Sequence, residues 1–165
     1  MNVRALWLSG SILAVVACGS SPSAPDQSAE PLPVTRLRTE PFSFTYASGL
    51  TEPQRLLIRD QASWQQAWAA IWTRHSSQPA MPDVDFTREM IVLAALGERP
   101  TGGYGIFIDS AAAGSGRVTL RIRSVSPANG CGVTTALTQP VDIARLPRRE
   151  GPAVFTDVQE TQNCR

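Results

Sequence analysis

The chain has 165 residues, of which 42% are hydrophobic, 18% charged and 7% aromatic, the profile of a globular domain rather than a disordered or fibrous chain. Its 15 basic residues, all arginine, stand against 14 acidic ones. That near-balance lacks the net basic face with which a nucleic-acid binder releases phosphate counterions, and lacks the polybasic segment of a membrane-surface protein.

Arg4 precedes an apolar run from Ala5 to Ala17 that ends in small residues. Residues 1–17 therefore read as a secretory leader, too short for a permanent membrane span. The end of that run, Val15-Val16-Ala17-Cys18, resembles the lipobox of bacterial lipoproteins, which implies that Cys18 is acylated and becomes the mature N-terminus. Each buried methylene contributes roughly 0.8 kcal/mol, so several acyl chains on Cys18 would hold the protein at a membrane without a spanning helix. The following residue, Gly19, is not the Asp that commonly marks inner-membrane retention in diderm lipoproteins. The resemblance thus implies the bacterial cell envelope, and the outer membrane where the cell has one. Residues 18–40 are rich in Pro and Ser and are expected as a disordered tether, with one globular domain over 41–165.

Phe42, Phe44 and Tyr46 alternate with Ser43 and Thr45, the period of a half-buried strand, and Ser48-Gly49 offers a turn. Arg55–Arg59 reads as a second short strand. Ser63-Trp64-Gln65-Gln66 has the form of a capping box, which predicts Ser63 as N-cap of a helix over about 64–74. On a helical wheel Trp64, Ala67, Trp68, Ile71 and Trp72 form one apolar arc, read as a face bedded on a sheet rather than a ligand-stacking platform. Met90–Leu96 is apolar without alternation, as in a strand buried on both faces at the centre of a sheet. Tyr104, Ile106 and Ile108 lead to a turn at Ala113–Gly116, and Val118, Leu120 and Ile122 alternate after it, which predicts a hairpin with one solvated face. Val133–Leu137, Val141–Leu146 and Val154–Val158 supply further short strands. The expected fold is α+β, a mostly antiparallel sheet of about six to eight short strands with one main amphipathic helix packed on it.

The most distinctive stretch is Val84-Asp85-Phe86-Thr87-Arg88-Glu89-Met90-Ile91-Val92, followed by Leu96-Gly97-Glu98-Arg99-Pro100-Thr101-Gly102-Gly103-Tyr104. With the Trp68-x-x-x-Trp72 helix, Pro127-Ala128-Asn129-Gly130-Cys131 and Gln139–Pro147, it resembles the PrcB C-terminal domain family, named for an accessory subunit of a bacterial surface protease complex. The resemblance implies a secreted or lipid-anchored domain of a family without an agreed activity. Glycines permit positive φ and Pro100 fixes its own, so the Gly97–Gly105 loop can hold exposed amides in one shape. Arg99, Pro100, Thr101, Gly102, Gly103 and Tyr104 are the candidate binding residues, for a protein partner. The plainer alternative is a tight turn between two core strands with Tyr104 buried. The loop also resembles the Thr-Gly-Tyr loop of chagasin-like cysteine protease inhibitors, although that family's second and third loops are not recognisable here. A protease inhibitor is therefore the alternative function.

Catalytic constellations are poor, and no enzyme is expected. The single histidine, His75, falls on the apolar helix face near its C-terminal end and reads as a capping or partly buried residue. His75, Cys131 and Cys164 are too few for a zinc site, and Asp83-x-Asp85 lacks further ligands at calcium-loop spacing. No metal or cofactor is expected. Gly114-Ser115-Gly116 lacks the strand-to-helix context of a nucleophile elbow. Arg121 and Arg123 share a strand face, read as solvated. With Cys18 assigned to lipid, Cys131 and Cys164 remain as an even pair in an exported protein, which predicts a disulfide tying down the C-terminal segment; two separate thiols are the alternative.

Overall fold

A computed structural model of the chain describes residues 29–37 and 47–164. The leader, Cys18 and the strand expected at Phe42–Tyr46 lie outside the described residues.

Eight strands and one helix follow in the order β1 (Glu30–Leu32), β2 (Thr35–Arg36), β3 (Gln54–Ile58), α1 (Gln61–Ile71), β4 (Glu89–Ala95), β5 (Gly105–Gly114), β6 (Arg117–Pro127), β7 (Val141–Pro147) and β8 (Ala153–Gln162). The strands form two sheets of four, ordered β1-β5-β6-β8 and β2-β7-β4-β3. The class is the expected α+β, with the strands divided between two layers. All pairings are antiparallel except β6 with β8, which run parallel.

The apolar run of β4 explains the layering. Alternate side chains of a strand point to opposite faces. Ile91, Leu93 and Ala95 join one core with Trp64, Trp68, Ile71, Val141 and Ile143, between the second sheet and the helix. Met90, Val92 and Ala94 join the other, with Ile106, Ile108, Val118, Leu120 and Ile122, between the two sheets. The helix arc is buried as expected: Trp64, Trp68 and Ile71 have no exposed surface. The indole N–H groups of Trp64 and Trp68 donate to the carbonyls of Pro82 and Pro79, so the proline-rich segment after the helix caps the tryptophan stripe.

Four expectations are corrected. The helix begins three residues early, because Asp60 is the N-cap; its carboxylate accepts from the Ser63 N–H and the Ser63 hydroxyl, each at 2.8 Å. Ser63 thus fills the third helical position of the box rather than its cap. The helix also ends at Ile71, with Trp72 as C-cap. Part of the segment expected as tether is folded: Glu30–Leu32 pairs with Ala111–Ala113, and Leu32 is buried in the inter-sheet core. Pro31 is tolerated because β1 is an edge strand, where a missing N–H costs no ladder bond. Finally, Val133–Leu137 is loop rather than strand.

The predicted hairpin forms as β5 and β6. Gly114 pairs with Arg117 across Ser115 and Gly116, at φ 50° and 71°, and two successive positive φ values are what the right-handed twist of a two-residue hairpin turn requires.

Candidate functional site

The Gly97–Gly105 loop connects the buried strand β4 to β5, and its shape is set by a second loop lying beside it. Arg99 and Thr138 exchange backbone hydrogen bonds at 2.7 and 3.0 Å. The Thr138 hydroxyl donates to the Thr101 carbonyl at 2.8 Å, and the Gly102 N–H donates to the Thr134 carbonyl at 2.9 Å. Within Val133–Leu137 the Thr134 carbonyl is thus taken by the neighbouring loop, and no strand forms there. Gly103 sits at φ 84°, and a Cβ there would come within 2.9 Å of the Val133 side chain, so this position takes only glycine without strain.

The candidate residues are therefore held in one rigid surface. Pro100 and Gly103 are exposed, while Arg99, Thr101, Gly102 and Tyr104 are half-buried. Tyr104 is not the core residue of the plainer reading; it packs at the margin of the inter-sheet core. On one side of it opens a cleft of about 350 Å³ floored by Gly105, Phe107 and Val125, and on the other a pocket of about 240 Å³ containing Arg99. Sequence reasoning missed Leu137, which is 61% exposed, the most of any large hydrophobic among the described residues. Its chain neighbour Thr138 pairs with Arg99, and that pairing carries it to the candidate loop.

Cys131 and Cys164 form the disulfide, with Cα atoms 5.3 Å apart. It joins the 128–133 turn to the end of β8, where the Ala128 N–H also donates to the Gln162 carbonyl. A third cleft, bounded by Gly103, Val133 and the disulfide, continues the surface.

The remaining sequence candidates have structural partners. His75 packs edge-on against Trp72 at 4.7 Å, and its Nε2 lies 2.6 Å from the Ala47 carbonyl. Cys131, being disulfide-bonded, offers no thiolate. Ser115 occupies the hairpin turn. The Asp85 carboxylate accepts from the hydroxyl and N–H of Thr87, which hold it below the usual 3.8. Arg123 stacks on Phe107 at 4.6 Å and pairs with Asp109 and Glu160, while Arg121 is exposed. Among the described residues, no group of three or more His, Cys, Asp or Glu is placed to hold a metal. No helix among them is long and apolar enough to cross a membrane.

The stretch from β4 through both loops to the end of β7 is also what connects the chain to known proteins. Residues 90–147 match the family model described as PrcB C-terminal. Over that stretch the chain is similar to the PrcB C-terminal family. The matched residues take in the laced loops, Cys131 and the β5–β6 hairpin, whereas the tryptophan helix and β8 lie outside them. No curated protein and no solved structure matches the chain. The paired loops therefore lie within the matched stretch, and the helix and β8 flank it.

Proposed function

We propose that the protein is an envelope lipoprotein, anchored through acylated Cys18, whose PrcB C-terminal domain binds a protein partner and carries out no reaction. The surface formed by the Gly97–Gly105 loop and the 133–138 loop is the binding face. The observation that carries this reading is the exposed Leu137, chain neighbour of Thr138, whose backbone exchanges reciprocal hydrogen bonds with Arg99 of the candidate loop. A rigid loop pair presenting an apolar side chain loses little conformational freedom on binding, which is where protein interfaces gain affinity. Supporting it from the other side, the candidate base His75 and candidate nucleophile Cys131 are engaged in packing and in the disulfide.

The test is a photo-crosslinking side chain in place of Thr101 in the lipidated full chain, irradiated in its native envelope. A discrete crosslinked protein, lost when Leu137 is replaced by Asp, is the expected result. Crosslinks to lipid alone, or none, would overturn the reading. A crosslinked protease whose peptide cleavage the purified domain blocks would move it to the inhibitor function.

A further inference from the structure

Seven of the twelve arginines among the described residues form ion pairs, among them Arg36 with Asp142, Arg55 with Asp157 and Arg123 with Asp109 and Glu160, while Arg59, Arg88, Arg99, Arg117 and Arg121 form none. Of these five, only Arg99 has a buried nitrogen left without a partner. Its Nη2 donates to the Leu96 carbonyl at 2.8 Å, and its guanidinium lies 5.9 Å from the centre of the Tyr104 ring. Its Nε is buried and has no acceptor among the described residues. The carboxylate of neighbouring Glu98 is taken by Arg74 and by the Gln139 amide, and Glu160 is engaged by Arg123. A half-buried cation without a counter-charge is costly, and a guanidinium fork is shaped to take a carboxylate.

The space in front of Arg99 has the matching character. The pocket of about 240 Å³ is lined further by Tyr104, Ser124, Ser126 and Gln159, hydroxyl and amide groups, with the apolar Leu96 and Val125 behind them. Among the described residues, no acidic side chain lines it. We infer that this pocket is a carboxylate site, which takes a C-terminal or acidic side-chain carboxylate of the partner on Arg99. This deepens the proposal above and rests on it for the identity of the ligand as protein. Arg99 is thereby more than a residue of the loop; it is the charge that selects what the loop binds.

Two short peptides test it against the full chain in neutral detergent, one with a free C-terminus and no acidic side chain, the other amidated and carrying one Glu. The readout is the side-chain Nε–H resonance of Arg99, assigned by its loss in Arg99→Lys. A millimolar titration with either carboxylate peptide should displace that resonance, and a fully amidated peptide without Glu should not. The arm that acts identifies the source of the carboxylate. Arg99→Lys keeps the charge but loses the fork, and should bind roughly tenfold more weakly, the factor supplied by about 1.4 kcal/mol, as read in both proteins from the backbone amide resonances of Thr101 and Tyr104. No displacement by either carboxylate peptide, or equal displacement by the uncharged one, would overturn the site. Should crosslinking at position 101 persist in that case, the loop remains a binding face and only the carboxylate chemistry falls.

Discussion

Asp142 joins three strands from both sheets through one carboxylate oxygen. Although β7 places it in the buried layer at 6% exposure, its Oδ2 accepts from Arg36 Nε at 3.1 Å and from the Ile108 N–H at 2.7 Å. Arg36 completes the ring by donating to the Ile108 carbonyl at 3.1 Å. Ile108 precedes the irregularity at Asp109, where β5 carries one residue more than β6. The carboxylate thus satisfies the backbone where the ladder is interrupted. Asp142→Asn keeps the shape but removes the charge and leaves one acceptor oxygen. It should cost about 2 kcal/mol, the range of a hydrogen bond to a charged group. Urea denaturation checks it, and an unchanged midpoint would show that the ring contributes nothing.

The tryptophan stripe should report its burial directly. Iodide should leave the fluorescence of the leader-free protein nearly unquenched, because Trp64 and Trp68 are fully buried and Trp72 almost so. Trp68→Ala should cost about 3–5 kcal/mol, as large-to-small changes in a packed core do. Efficient quenching in the native state would contradict the packing of helix on sheet.

Asp60 predicts an acid limb in the stability. The backbone N–H of Ser63, and then its hydroxyl, hold the carboxyl below its ordinary 3.8. A carboxyl whose folded value is depressed stabilises the fold fully above its unfolded value, and that contribution disappears as pH falls through the folded one. Chemical denaturation between about pH 5 and pH 2 should therefore show a shallower loss in Asp60→Asn than in the parent protein. Asp60→Ala should be weaker at neutral pH as well, since it removes the cap itself. Superimposable acid limbs for parent and Asp60→Asn would refute the assignment.

Replacing both Cys131 and Cys164 by Ser should lower stability by about 2–4 kcal/mol, the usual value for a bridge closing a loop of this order. Hydrogen exchange should locate the loss. Amides in the last turns of β8 and in the 128–133 segment should lose protection, while those of β4 keep theirs. Uniform loss would show that the bridge acts through the unfolded chain alone.

The parts of this fold that could be read from sequence are those whose signal is local. Met90–Leu96 has no polar interruption, so its burial on both faces was legible, and so was the arc from Trp64 to Trp72. The disulfide followed from counting cysteines once Cys18 was set aside. What could not be read depended on distant partners. Glu30–Leu32 contains Pro31 and is followed by Pro33, which together mimic a linker, and only Ala111–Ala113 makes it a strand. Val133–Leu137 has strand-forming residues, yet its Thr134 carbonyl is bonded by Gly102 and the adjoining Thr138 by Arg99, in a loop. The candidate loop was legible from its glycines; Arg99's missing counter-ion and the exposure of Leu137 were not, because both arise from which loop lies alongside.

β4 serves as the common wall of two cores, one sealed by a helix and the other by a sheet. Neither core can be lost while the other survives, because opening either strips one face of the same strand. The molecule should therefore melt in a single cooperative event. It follows that a substitution beneath the helix is transmitted to the sheet behind it, so the two layers form one mechanical unit rather than separable modules.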